Sequence, residues 1–381
     1  MKVHVRSGLD NLKLAHDALN GRRIGLLTHP CGFDSTFTST IDILHANYRL
    51  TVLFACEHGI RGSVVAGAHI DQETDAATGL PVFSLYGDTK MPTPEMLSEI
   101  DVFVVDLQDV GARFYTYIYS LAFAMIACAR AGKPIVVLDR INPIGGRTVQ
   151  GTLLDERFHS FVGEYAVPTR YGLTIGEFAR FVKDHLKLDV DLTVVPLTGW
   201  KRGMLWEDTD AAWAPPSPNI PTPHTALVYI GTCIFEGTNL SEGRGTTTPF
   251  YVVGAPFIDA VQLTARMRAL NLPGVGFMPA YFTPTTSKWN GEACQGARLF
   301  LASGEADAFA AGLYLLEAIL DLYPRDAKFL SDDPSALAGT NLLLGTDEFR
   351  AGGLSAAEVI KKHRPLVEDF KRRSEKYYLY E

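Results

Sequence analysis

Short, almost unbroken apolar runs alternate with helix-spaced apolar positions through the first 200 residues. Residues 23–28 (RIGLLT), 50–56 (LTVLFAC), 101–106 (DVFVVD) and 133–138 (KPIVVL) are dominated by Val, Ile, Leu and Phe. Strands covered on both faces have this composition, whereas half-exposed strands alternate apolar with polar. Helical spacing falls between them, over residues 9–20, 39–45 and 118–131, the last apolar on most faces and closed by Gly132. A brief strand is expected at 81–86 and another at 191–195. Thr174 and Glu177 form a capping box opening a helix to residue 185, which makes Glu177 a structural cap. The repeated strand–helix–strand order predicts an α/β fold with a Rossmann-like, doubly wound parallel sheet.

The pattern then changes. Residues 199–224 carry Trp200, Trp206 and Trp213 and the prolines 215, 216, 218, 221 and 223, an extended composition. A helix is expected over 225–235. Beyond Pro249 come a helix at 259–270, strands at 274–283 and 297–302, and a helix at 306–323. A C-terminal helical stretch opens at Ser355 and is expected to break at Pro365. The expected organisation is a Rossmann-like catalytic domain over residues 1–245 and a smaller α+β domain over 246–381 completing a cleft. Residues 62–95, rich in Gly, Pro, Thr and Asp, are too long for an ordinary connection and form a candidate active-site loop.

Composition narrows the function classes. A length of 381 residues suits two domains. A net charge of −8 with dispersed charges excludes a sequence-independent nucleic-acid surface. No apolar stretch is long enough for a membrane span. The five cysteines are odd in number and widely separated, the pattern of reduced thiols rather than disulfides or a zinc site. With no apolar leader at residue 1, a cytoplasmic location is expected. Neither a metal site nor a cofactor fingerprint is present, so none of either is expected.

Candidate chemistry collects at the strand ends, where ligands bind in open parallel sheets. The first strand ends in Thr28 and His29, the second in Glu57, His58 and Arg61, the third in Asp106, Gln108 and Asp109, and the fourth in Asp139, Arg140 and Asn142. Four polar ends from one sheet suggest a cleft, although Asp106, Asp109 and Arg140 could equally satisfy one another. Glu57 is the centre of this reading. Partial desolvation favours the protonated form of a carboxyl, which suits a general acid; a salt bridge to His58 or Arg61 is the plainer alternative. A second feature is the loop Ser241-Glu242-Gly243-Arg244-Gly245, which offers a further carboxylate and a guanidinium able to grip an anion bidentately.

Taken together, Glu57-His58-Gly59-x-Arg61-Gly62, the segment from Asp106 through Gln108, Asp109, Arg113 and Tyr115 to Tyr117, and Asp139-Arg140-x-Asn142-Pro143 resemble the NamZ-type exo-β-N-acetylmuramidases. Ser217-Pro218-Asn219-Ile220-Pro221 and Asn239-Leu-Ser241-x-Gly243-Arg244 extend the resemblance. It implies removal of N-acetylmuramic acid from the non-reducing end of peptidoglycan fragments, a carbohydrate substrate, and a catalytic glutamate at Glu57. Two departures stand out: Arg170-Tyr171-Gly172 where Arg-His-Gly is expected, and His29-Pro30 where many members carry Asn-Gln. Glycoside hydrolysis usually takes two carboxyl groups. Glu57 is the expected acid, with His58 tuning it; Glu242, Asp106, Asp109 or the substrate's own acetamido oxygen is the expected partner. Arg244, then Arg61 or Arg113, is expected to hold the lactyl carboxylate. Gln108, Asp109, Tyr115, Arg140, Asn142, Asn219, Asn239 and Ser241 complete the expected substrate contacts. The alternative is a non-catalytic binder of amino sugars or anionic ligands.

Overall fold

The apolar runs become the inner strands of one sheet. The computed structural model describes residues 2–57, 59–61, 73–87 and 89–381. In chain order these give α1 (His16–Leu19), β1 (Arg23–Thr28), α2 (Thr40–Asn47), β2 (Arg49–Ala55), β3 (Glu73–Thr74), β4 (Pro81–Ser84), α3 (Pro94–Ser98), β5 (Val102–Asp106), α4 (Tyr117–Ala131) and β6 (Ile135–Leu138). Then follow β7 (Gln150–Leu153), β8 (Pro168–Arg170), α5 (Ile175–His185), β9 (Leu192–Val195), α6 (Pro223–Thr232), β10 (Val252–Ala255), α7 (Ala260–Ala269), β11 (Val275–Phe282), β12 (Cys294–Leu301), α8 (Ala308–Leu322), α9 (Thr340–Leu344) and α10 (Ala356–Ser374).

The main sheet has the order β3-β4-β2-β1-β5-β6-β9. All its pairings are parallel except β3 with β4. The chain winds outward from β1 through β2 and β4, then returns to place β5 on the other side of β1. The sheet therefore reverses between β1 and β5, the point where such folds bind ligands. Register matters here: Thr28 pairs with Ala55 on one side and with Asp106 on the other, so three strand ends lie level. Within the continuous apolar strands, alternate residues still face opposite ways. Ile24, Leu26, Val102 and Val104 pack with Leu19, Ile41 and Leu44 on one face. Phe54, Phe103, Val105 and Val137 pack beneath α4 and α5 on the other. This is the expected doubly wound arrangement.

Beyond it lies a smaller antiparallel sheet, β10-β12-β11, backed by α7 and α8. Its buried residues are continuous with those under α4 and α5. Helices α6 and α8 meet backbone to backbone at Gly231 and Gly312, where a Cβ on Gly312 would lie 1.8 Å from the Gly231 carbonyl oxygen. No larger residue fits either position without separating the helices.

Several expected elements differ in detail. Residues 9–20 form a 3₁₀ turn (Leu12–Ala15) and the single-turn α1 rather than one helix. The helix expected to 235 ends at Thr232 and continues as a 3₁₀ turn, Cys233–Gly237. Pro365 does not break α10; Lys361 and Pro365 are both exposed, so the carbonyl left without an intrahelical donor faces solvent. The β7–β8 hairpin was not expected, because QGTL and PTR lack a clear apolar alternation. Glu177 is the structural cap expected of it, bonding the Thr174 N–H. All five cysteines are buried and unpaired.

Buried polar side chains fasten distant segments, and three of them were expected to touch substrate. Arg113 has no exposed surface and donates to the carbonyls of Thr152 (2.5 Å), Val167 (3.1 Å) and Leu343 (2.8 Å). It ties the β5 loop to the β7–β8 hairpin and to α9, in place of the sugar carboxylate expected of it. Asn142 is likewise an internal bracket, donating to the Leu173 carbonyl and accepting from Ile144 N–H. Asp109 accepts from the Tyr171 hydroxyl and from Gly111 N–H at 2.7 Å through Oδ2, while Oδ1 is buried without a partner among the described residues. Burial pushes its pKa up to about 6.

Residues 378–380 pack back against α5 and the ends of β6 and β9. Tyr380 donates to Asp139 Oδ2 at 2.5 Å and accepts from Leu197 N–H. The Leu379 N–H donates to Glu177, and Arg202, paired with Glu177 at 2.6 Å, stacks 3.3 Å from the Tyr378 ring centroid. Tyr380→Phe removes one buried donor from Asp139 and is expected to cost about 1–3 kcal/mol, read as a lower urea midpoint with an unchanged slope. A second expectation concerns pH. Because the folded pKa of Asp109 lies above its unfolded value of 3.8, the favourable contribution is complete below pH ~4 and is lost as pH rises through about 6. The stability of the parent relative to Asp109→Asn should fall by about 3 kcal/mol between pH 4 and 7.5, measured by urea unfolding of both proteins.

Candidate active site

Glu57 sits just beyond the carboxyl end of β2. Cys56 is fully buried and Glu57 half-buried, so the apolar strand ends where the carboxyl emerges. The chain turns at once: Gly59 N–H donates to the Cys56 carbonyl, and Gly59 takes φ +74°. The Tyr117 hydroxyl lies 3.3 Å from the Glu57 carbonyl and 2.9 Å from that of Pro216. Thr116, the residue before α4, brings its hydroxyl within 3.4 Å of Glu57 Oε2. The turn is thus fixed to the start of a 15-residue helix. Arg61 is held bidentately by Asp75 at 2.7 and 2.9 Å, and that partnership draws the Asp75 pKa down to about 2. Arg61 is an anchor for its loop, with its side chain still 40% exposed. His58, expected to tune Glu57, lies outside the described residues, as does much of the expected active-site loop.

Tyr86 was not foreseen. It follows β4, whose Ser84 is in register with Ala55 of β2, so its ring arrives beside Glu57. Burial first, then the Glu57 charge, push the Tyr86 hydroxyl up to about 12, so it remains a donor at neutral pH. Tyr86, Tyr119 and Phe123 gather around Phe161, which also carries Lys90 at 4.1 Å from its ring centroid. A strand at 81–86 was expected, but its place beside β2, which brings residue 86 to residue 57, came only with the strand order.

The ends of β5 and β6 are occupied differently. Asp106 is fully buried. It receives Arg140 Nε at 2.5 Å and Nη2 at 2.8 Å, and the Thr40 hydroxyl. It is therefore an interior ion-pair partner, which corrects the expectation of a catalytic carboxylate; Arg140 is correspondingly committed. Asp139, the neighbour of Arg140, faces the other way toward Thr174 and Tyr380, as adjacent residues of an extended segment must. The Gln108 backbone N–H donates to His29 Nε2 at 2.8 Å, and its side-chain amide donates to the carbonyls of Asp109 and Ile141. Tyr115 is buried and packs edge-on against Tyr117, ring centroids 4.8 Å apart.

The second cluster is built on the loop after α6. Ser241 exchanges backbone hydrogen bonds with Gly254 and accepts from Gly243 N–H. Gly245, at φ +79°, lies so close to residues 285 and 286 that a Cβ would meet Thr286 N at 2.5 Å. Arg244 pairs with Glu236 at 2.6 Å and with Glu242 at 3.2 Å. Lys288 takes the other oxygen of Glu242 at 2.8 Å. Glu242 is 2% exposed with both oxygens engaged, whereas Arg244 keeps 28% of its side chain exposed. Asn239 brackets residues 326 and 328. Asn219 is half-buried and its side chain bonds none of the described residues. A line of packed rings connects this cluster to the Glu57 region. Phe114 meets Tyr229 at 4.9 Å, Tyr229 meets Phe250 at 4.6 Å, and Arg244 lies 5.1 Å from the Phe250 centroid.

A half-buried carboxyl flanked by hydroxyls, with an arginine-bearing loop packed through aromatic rings to the same neighbourhood, can protonate a leaving oxygen and bind an anionic sugar substituent. Comparison with known proteins agrees with this chemistry. The family model described as exo-beta-N-acetylmuramidase NamZ, N-terminal, matches residues 24–224, and its C-terminal counterpart matches residues 227–380. The peptidoglycan beta-N-acetylmuramidase NamZ of Bacillus subtilis (strain 168) is 44% identical over 384 residues, covering 100% of this chain and 92% of the relative. Two crystal structures of DUF1343 family proteins from Bacteroides fragilis NCTC 9343 share the fold. One has a TM-score of 0.92 and 38% identity, with 100% of both chains covered. The other has a TM-score of 0.78 and 31% identity, with 99% of both chains covered. With both halves matched and a full-length relative at this identity, the chain belongs to the NamZ exo-β-N-acetylmuramidase family.

Proposed function

We propose that this protein is an exo-acting glycoside hydrolase that releases N-acetylmuramic acid from the non-reducing end of peptidoglycan fragments, with Glu57 as its general acid. The observation that carries the reading is the setting of Glu57: a half-buried carboxyl at a strand end, fixed to Thr116 and Tyr86, in a chain of this family. Residues 1–245 supply the acid, and residues 246–381 complete the cleft. Protonated Glu57 gives its proton to the glycosidic oxygen as the bond to C1 breaks, and positive charge develops on the sugar ring. Tyr86 and Thr116 orient the carboxyl throughout.

The three carboxyls expected as second participant are each engaged among the described residues. Asp106 is bound to Arg140, Asp109 is enclosed under Tyr171, and Glu242 is held by Arg244 and Lys288. None presents a free carboxylate. The geometry favours the substrate's acetamido oxygen as the group that closes on C1, to be opened later by water that Glu57 deprotonates. Arg244, partly exposed and fixed in place, is the cation for the lactyl carboxylate, and Tyr86, beside Glu57, is a polar group for ring substituents. No helix among the described residues is long and apolar enough to cross a membrane. Separately, the proposed role is recycling of imported disaccharide fragments in the cytoplasm.

Glu57→Gln keeps the shape and removes the proton. It is expected to lower release of N-acetylmuramic acid from a chromogenic muramide about 10²–10⁴-fold, with an unchanged urea midpoint. Turnover at the parental rate would move the acid elsewhere. A parent that binds the muramide saturably yet forms no product would favour the non-catalytic binder.

A further inference from the structure

We propose that a cavity at the reversal point of the sheet between β1 and β5 binds a single uncharged pyranose. The cavity, of about 170 Å³, is enclosed by the loop after β1, the ends of β5 and β6, the N-terminal segment and residues 206–214. That volume accommodates one sugar ring. Its position is separate from Glu57. Cys31 on its wall donates to the Ala214 carbonyl at 3.2 Å, and two residues on, the Pro216 carbonyl meets the Tyr117 hydroxyl that also reaches the Glu57 backbone. The 214–216 stretch therefore stands between the two places.

Two features of the wall point to a ligand. The first is Phe37, which lines the mouth. It holds φ +65° and is 72% exposed. A bulky residue in left-handed backbone is strained, and an exposed ring recovers little of that cost by burial. Glycine would serve this turn better, since the turn is already held by Asp34 Oδ1 bonding the N–H groups of Thr36 and Thr38. Folding does not explain the ring; a ligand face does. Phe37 stacks near Phe33 at 5.8 Å and 24° between planes, giving a flat apolar surface for the C–H face of a sugar. The second feature is the set of polar atoms left over inside. Arg140 spends Nε and Nη2 on Asp106 and the Phe33 carbonyl, leaving Nη1. Gln108 spends its amide N–H groups on two carbonyls, leaving Oε1. A donor and an acceptor beside an aromatic platform suit hydroxyl groups. Charge sets the class further: Arg140 is neutralised by Asp106 and Arg6 lies 3.8 Å from Asp210, which leaves Asp10 and Asp34 as the wall's unpaired charges among the described residues. Phosphate or carboxylate ligands are disfavoured.

This inference does not depend on the role of Glu57, and its test reads binding rather than turnover. Ligand-observed NMR titration of the full chain with N-acetylglucosamine, glucuronic acid and AMP should give saturable binding of N-acetylglucosamine at about millimolar strength, with glucuronic acid and AMP weaker. Phe37→Gly should weaken the sugar at least tenfold while its unfolding midpoint stays equal or rises, because strain is relieved. Ala212→Trp, which fills the cavity, should weaken it similarly. Absence of saturable sugar binding, undiminished binding in both variants, or preference for glucuronic acid or AMP would overturn the proposal.

Discussion

A buried ion pair stands where the sheet reverses, and the surrounding loops are arranged about it. Asp106 and Arg140 close the ends of β5 and β6, with 0% and 7% of their side chains exposed. Charges taken this far from water persist only when their hydrogen-bonding capacity is met, and removing one partner from such a pair typically costs about 3–5 kcal/mol. Here the demand is met by recruiting neighbours. The Thr40 hydroxyl comes from the start of α2, the Phe33 carbonyl from the loop after β1, and the Thr28 hydroxyl reaches the Asp106 carbonyl. Gly32 is glycine for the same reason, since a Cβ there would sit 2.4 Å from Thr28 Oγ1 and 3.1 Å from Asp106. The pair thus sets where the first, third and fourth strand ends stand. Glu57, one strand further out, then has a fixed floor beside it.

The division of labour among carboxyls follows from that placement. A sheet of this kind delivers several acidic strand ends to one edge, and a dry interior cannot leave them all charged and unpaired. Asp106 is neutralised by Arg140, Asp139 is ringed by donors from α5 and the C-terminus, and Asp109 is pushed toward its neutral form. Glu57 differs in being half-buried and met by hydroxyls rather than by a cation. Among the described carboxyls considered at this edge, it is the one bound by no arginine or lysine and not fully buried, which is what suits it to the role proposed for it.

What could be read from the amino-acid sequence was what local chemistry decides. Continuous Val/Ile/Leu runs give buried parallel strands whatever surrounds them, and Thr174 with Glu177 gives a helix start because the cap is satisfied within four residues. Position at a strand end was equally legible for Glu57, Asp106 and Arg140. Their partners were not, since pairing is decided by strand order. Asp106 stood as a candidate partner for Glu57 until β5 and β6 were placed side by side. Arg113 is the sharper case: its three carbonyl acceptors come from residues 152, 167 and 343, a convergence that no motif records. Tyr86 was hidden for the converse reason, in that an unremarkable short strand gained its meaning only from its register with β2.

The two halves of the molecule are joined in a way that bears on catalysis. Gly231 and Gly312 let α6 and α8 touch through their backbones, and a contact without side chains has little freedom to slide or rotate. The Arg244 loop leaves α6 through the 3₁₀ turn 233–237 and is held by Lys288 from the smaller unit. The Glu57 turn is held by Thr116 and Tyr117 at the start of α4, two residues from Phe114, which packs on Tyr229 of α6. Both functional loops are therefore referred to the same helix from opposite ends of one packed line. On the roles proposed for Glu57 and Arg244, an acid and an anion-binding group need a set separation, because only one sugar, at one end of a chain, is to be taken. Fixing both to α6 supplies that separation through packing that neither loop could provide alone.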